Sequence, residues 1–128
     1  MEKTRVVENA KAPEVPWRPG YRYFSLAGKD QGIACVVSQA ILEPGAGAPL
    51  HIHTSDDEVL IVLEGVLDVR LGEDRRLVEA GHTISIPAGV PHSFVAAGPA
   101  PAKFIGFLPK IGETTFLEGG PAQGAARR

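Results

Sequence analysis

A chain of 128 residues is long enough for one sizeable core and too short for two. Its 15 glycines and 11 prolines disfavour long helices and point to a turn-rich β protein. Thirteen Lys and Arg against 15 Asp and Glu leave a net charge of −2 with no basic patch, which argues against a nucleic-acid partner.

Residues 1–20 carry mixed charge and then Pro13, Pro16 and Pro19, and read as an arm lying on a surface. Glu2, Lys3, Arg5 and Glu8 interrupt any apolar segment that a signal peptide would need. The longest aliphatic run, Val59 to Leu63, is far short of a membrane span. With Cys35 as the single cysteine, no intrachain disulfide can form, and a soluble cytoplasmic protein is expected.

The β-like region, residues 21–117, opens with Tyr21 to Gly28. Gly32 to Leu42 follows as a buried strand rich in β-branched and small residues, stopped by Glu43-Pro44-Gly45. Glu58 to Leu71 reads as two strands joined at Glu64-Gly65, with Gly72 to Arg76 as a polar hairpin tip. His82 to Ala97 contains a strand, a Pro/Gly turn and another strand, and Ala102 to Pro109 a further one. Residues 118–128 form a low-complexity tail expected to be flexible. Many short strands with regular turns imply an all-β sandwich or barrel. Val59, Ile61 and Leu63 alternate with Leu60 and Val62, so both faces of that strand are apolar. One face suits a barrel interior; the other needs a cover from a second sheet, the arm or another subunit.

The chemistry concentrates in His51-Ile52-His53. In a strand, residues i and i+2 share a face with Cα atoms roughly 6.5 Å apart, close enough for two imidazoles to meet one ion. Glu58 lies an odd number of residues from His53, on the wrong face of an unbroken strand. The turn-prone Thr54-Ser55-Asp56-Asp57 resets that register and lets Glu58 open the next strand pointing inward. His92, after the bend at Pro87, Gly89 and Pro91, completes the set. Taken singly, each of these residues is more often a hydrogen-bonded or solvated side chain than a ligand; together with the turns they indicate a site. Three imidazoles and one carboxylate suit one divalent transition metal ion, whether iron, manganese, nickel, copper, cobalt or zinc, and suit calcium poorly.

The spacing is specific. Gly45, five residues, His51, one, His53, four, Glu58, six, Gly65 resembles the first motif of the cupin superfamily. Gly81, five residues, Pro87, one, Gly89, two, His92 resembles the second. The motifs span residues 45–65 and 81–96, with fifteen residues between them, as in compact single-domain cupins. Every ligand position is filled; the Asn that often closes the second motif is Ala96 here. The resemblance implies a double-stranded β-helix, or jelly-roll β-barrel, with the metal inside. It implies a quercetinase-like, dioxygenase-type oxidoreductase acting on a small organic molecule, and a homodimer. Isomerases, decarboxylases and non-catalytic sensor modules share the scaffold, and a storage role fits the intact ligand set least well.

Other residues are read more plainly. Cys35 is expected to be a buried hydrophobe and His82 a surface residue, while Asp56 and Asp57 satisfy turn amides. One of Ser38 and Gln39 should face inward, and Phe94 either lines the site or packs in the core. The motif strands carry no Lys or Arg besides Arg70, which disfavours a phosphate-bearing substrate. Glu58 is the candidate catalytic group: a carboxylate that loosens from an ion can accept a substrate proton.

Overall fold

The computed structural model describes residues 6–110 and 114–117. The expected flexible tail, residues 118–128, lies outside the described residues. Among the described residues eleven strands appear: β1 (Glu14–Arg18), β2 (Tyr21–Ala27), β3 (Val36–Leu42), β4 (Gly47–His53), β5 (Glu58–Glu64), β6 (Val66–Leu71), β7 (Asp74–Glu79), β8 (Thr83–Ile86), β9 (His92–Ala96), β10 (Ala102–Leu108) and β11 (Thr114–Phe116). The helical elements among the described residues are two single 3₁₀ turns, Asn9–Lys11 and Lys29–Gln31. None of them is long and apolar enough to cross a membrane.

The strands form two antiparallel sheets, in the orders β1-β2-β3-β10-β5-β8 and β11-β4-β9-β6-β7. This two-sheet, all-β architecture is the sandwich or barrel that the turn pattern implies, and it agrees with the jelly roll that the motif resemblance implies. Alternation decides what faces inward. Leu60 and Val62 on β5, Leu67 and Val69 on β6, and Phe104 on β10 are almost fully buried, each contributing roughly 1.5–3 kcal/mol by leaving water. An aromatic cluster ties the layers: Trp17 meets Tyr21 edge-on at 4.4 Å between centroids, and Phe94 meets Phe104 at 5.3 Å.

Several segments differ from the sequence reading. Within the stretch read as an arm, Glu14–Arg18 forms edge strand β1, paired with β2. Its single proline, Pro16, is compatible with an edge, where a missing N–H leaves no ladder bond unmade. The strand expected from Gly32 begins only at Val36, and Ile33 is exposed, because Gly32 ends the preceding 3₁₀ turn in the left-handed region (φ 81°). Cys35 is therefore half-buried rather than core. The hairpin tip is Gly72-Glu73 alone, since Asp74 already belongs to β7. Among the described residues only one face of β5 is covered: Ile61 and Leu63 remain 42% and 44% exposed. Strand β1 cannot cover them, because it lies at the far edge of the same sheet.

Candidate metal centre

His51 and His53 stand on β4, His92 opens β9, and Glu58 opens β5 in the opposite sheet. The group thus spans the interior, with three imidazoles from one layer and a carboxylate from the other. A β-bulge aims the two β4 histidines. Ala48 pairs with Phe94 but His51 pairs with His92, so the register slips by one residue between them. Leu50 and His51 are both buried as a result, and the inward phase changes from even to odd positions. Pro49 sits at the slip, where its lack of an N–H breaks the ladder.

The loop from Thr54 to Asp57 then carries the chain from one sheet to the other. It is tied to the second motif at two points: Ala88 N–H donates to Asp57 Oδ1 at 2.9 Å, and Gly89 N–H donates to the His53 carbonyl at 2.9 Å. These bonds hold the bend before His92 against the end of β4.

One ligand atom from each of His51, His53, Glu58 and His92 lies within 4.8 Å of every other. His53 Nε2 and His92 Nε2 approach Glu58 Oε1 at 3.1 and 3.3 Å. Both Nε2 atoms are buried and make no hydrogen bond. Ligands about 2.1 Å from a shared ion stand roughly 3–3.5 Å from one another, so the spacing fits a metal ion. The remaining ring nitrogens are occupied: His51 Nδ1–H donates to Pro49 O at 2.7 Å and His92 Nδ1–H to Val90 O at 2.9 Å. Such bonds leave each Nε2 lone pair for the ion. His53 Nδ1 lies 3.1 Å from the Thr114 hydroxyl.

Burial, reinforced by the neighbouring His92, holds the His51 imidazole down to about 3 from its ordinary 6.5. It is therefore neutral at pH 7, the state in which an imidazole ligates. Unfolding restores the ordinary value, so below about pH 6.5 the unfolded chain takes up a proton that the folded chain refuses until about pH 3. This group leaves stability at pH 7 unaffected and removes up to about 1.4 kcal/mol per pH unit across that window. Thermal melts of metal-free protein should show Tm falling steadily from pH 6.5 to 4; a flat Tm there would contradict it. A bound ion should leave over roughly pH 6 to 4, as protons compete for the same nitrogens.

The opening to the cluster is lined by Trp17, His51, His53, Thr114 and Phe116, with a cavity of about 10 Å³, room for one water-sized molecule. Trp17, Thr114 and Phe116 escaped the sequence reading, because no local pattern links β1 or β11 to the histidine motif. Ser38 faces inward, where its hydroxyl abuts Gly106, whereas Gln39 pairs with Phe24 and Ile105 on the outer face. Phe94 packs in the core against Tyr21 and Phe104. His82 is exposed, and Arg70 pairs with Ser93, out of phase with His92, its Nε donating to Gly72 O.

A family model described as "Cupin domain" matches residues 38–107, more than half of the chain. Mannose-1-phosphate guanylyltransferase 2 of Escherichia coli O157:H7 is 36% identical over 89 residues, 70% of this chain and 18% of that protein. Quercetin 2,3-dioxygenase of Bacillus subtilis is 42% identical over 50 residues, 39% of this chain and 15% of that protein. The chain therefore spans less than a fifth of the length of either relative. The polyketide cyclase RemF of Streptomyces resistomycificus superposes with a TM-score of 0.76 at 20% identity, over 89% of this chain and 85% of that one, a likeness of fold. The span 38–107 holds all four convergent side chains and both turn motifs that aim them, and by that match the chain belongs to the cupin family.

Proposed function

We propose that the protein is a metal-dependent cupin enzyme, an oxygen-using oxidoreductase of the dioxygenase type, with His51, His53, Glu58 and His92 as its metal ligands. The observation that carries this reading is the convergence of three buried imidazoles and one buried carboxylate on a single point inside the barrel. Four protein ligands leave positions open on a metal that takes five or six, and a bound ion of this kind supplies Lewis-acid polarisation of substrate oxygen and redox chemistry with dioxygen. The chain's own residues do the rest. The carbonyls of Pro49 and Val90 orient two imidazoles, Leu60 and Val62 exclude water behind the site, and Glu58 accepts the substrate's proton at a carboxylate oxygen.

The substrate is a small organic molecule bearing a hydroxyl or carbonyl oxygen. The absence of Lys and Arg among the described residues lining the opening supports an uncharged or weakly acidic one. A cytoplasmic location belongs to the same reading, supported by the single cysteine. The test is metal analysis of protein purified without added metal, then oxygen uptake with flavonols, diketones and phenols. Tight binding of one compound with no oxygen uptake and no product from any metal form would replace the enzyme by a sensor module.

The protein is further read as a homodimer. Val59, Ile61 and Ile105, with Phe107, form an apolar outer face in which Ile61 pairs with Ile105 and Val59 with Phe107. A second copy would cover it. Ile61→Lys, at an exposed position, should halve the mass seen by light scattering without lowering Tm; a wild type that is monomeric at all concentrations removes the dimer.

A further inference from the structure

Resting on the reading of the four convergent side chains as a metal site, we propose that Thr114 is a positioning residue for His53. Edge strand β11 thereby supplies part of the layer around the metal ligands.

An imidazole that gives one nitrogen to an ion must place its other N–H on an acceptor, and that acceptor sets the ring's tautomer and angle. For His51 and His92 the acceptor is a backbone carbonyl two residues earlier in the chain. A carbonyl only accepts, so it holds the tautomer whatever else happens nearby. His53 is built differently. Its Nδ1 faces the Thr114 hydroxyl, 61 residues away in sequence, at 3.1 Å.

Register produces that contact. Thr114 pairs with His53 and Phe116 with His51, so both β11 side chains lie on the face that carries the histidines. Thr115 pairs with Ile52 and is exposed. Phe116 lies over His51 with ring centroids 5.5 Å apart and planes inclined by 30°. Leu117 N–H donating to Leu50 O at 2.8 Å extends the ladder past the paired residues. A three-residue edge strand therefore touches two of the four candidate ligands, and of its two hydroxyls the one on Thr114 meets the ring nitrogen that must carry a proton when Nε2 ligates. The hydroxyl accepts that proton only when its own hydrogen is turned away, so β11 governs how well His53 is held for the ion.

The full-length chain is titrated with Zn²⁺ or Co²⁺ against a competing chelator, as wild type and as Thr114→Val, Thr114→Ser and Thr115→Val. Valine keeps the shape of threonine and removes the acceptor. Thr114→Val should weaken metal binding about 10–100-fold, the effect of losing a partner behind a metal-bound histidine. Thr114→Ser and Thr115→Val should stay within about threefold of wild type, because both keep the hydroxyl at 114. The visible spectrum of the Co²⁺ form should change in Thr114→Val alone. Wild-type affinity in Thr114→Val overturns the proposal. So does equal weakening in Thr114→Ser, which would assign the effect to packing of β11. Absence of metal binding in the wild type overturns the metal reading itself, and this proposal with it. Should Thr114→Val not fold, Thr114→Ala carries the same expectation and the same refutation.

Discussion

Replacing His53 with alanine is expected to abolish metal binding and turnover together. The side chain is 5% exposed, its Nε2 stands 3.1 Å from Glu58 Oε1, and a vacancy there removes one of the four proposed ligands. The loss should exceed the roughly 10–100-fold that follows from disturbing an outer partner of a ligand. Glu58→Gln should behave differently. A carboxamide oxygen still offers the ion a lone pair but cannot take up a proton. Metal occupancy should therefore fall less than activity, and activity should drop by roughly 10²–10⁴-fold, the range for removal of a general base. Metal content and kcat measured on the same preparations separate the two outcomes. Parallel losses in Glu58→Gln would reduce Glu58 to a ligand and remove its proton-accepting role.

The second large effect concerns stability and comes from a residue remote from any chemistry. Gly47→Ala is expected to destabilise the protein by roughly 3 kcal/mol or more, lowering Tm by about 10 °C or more. A Cβ at this position would drive into the Phe94 carbonyl oxygen and lie 2.7 Å from Val95 Cα. Both are backbone atoms of β9 and cannot swing aside. The strain has one outlet, separation of β4 from β9, and that same pairing sets His51 beside His92. Metal affinity should fall with stability. Gly98→Ala is the control, since its nearest neighbours lie 3.8 Å away and its effect should stay within about 0.5 kcal/mol. Equal Tm values for the two variants would show that β4 and β9 do not approach as closely as described.

What the sequence determined by itself was local. Alternation and turn residues are short-range properties, and they were enough for an all-β sandwich or barrel; the spacing of Gly45, His51, His53, Glu58, Gly81 and His92 added the four convergent residues and, through the family resemblance it carries, the jelly roll. Two histidines at i and i+2 share a face, but only the bulge at Pro49, defined by pairing with β9, decides that this face is the inner one. The tertiary structure alone decided the surroundings. Thr114 reaches His53 across 61 residues because β11 returns to the edge beside β4, and no periodicity in either segment encodes that meeting. Trp17 reaches the opening because a proline-rich segment extends the opposite sheet as an edge strand. The β5 strand makes the same point from the other side: two apolar faces were legible in Val59 to Leu63, yet whether the N-terminal segment would cover the outer one depended on where β1 came to rest. Side-chain alternation is set by the strand's own geometry, whereas the choice of neighbour is set by loop paths and long-range packing.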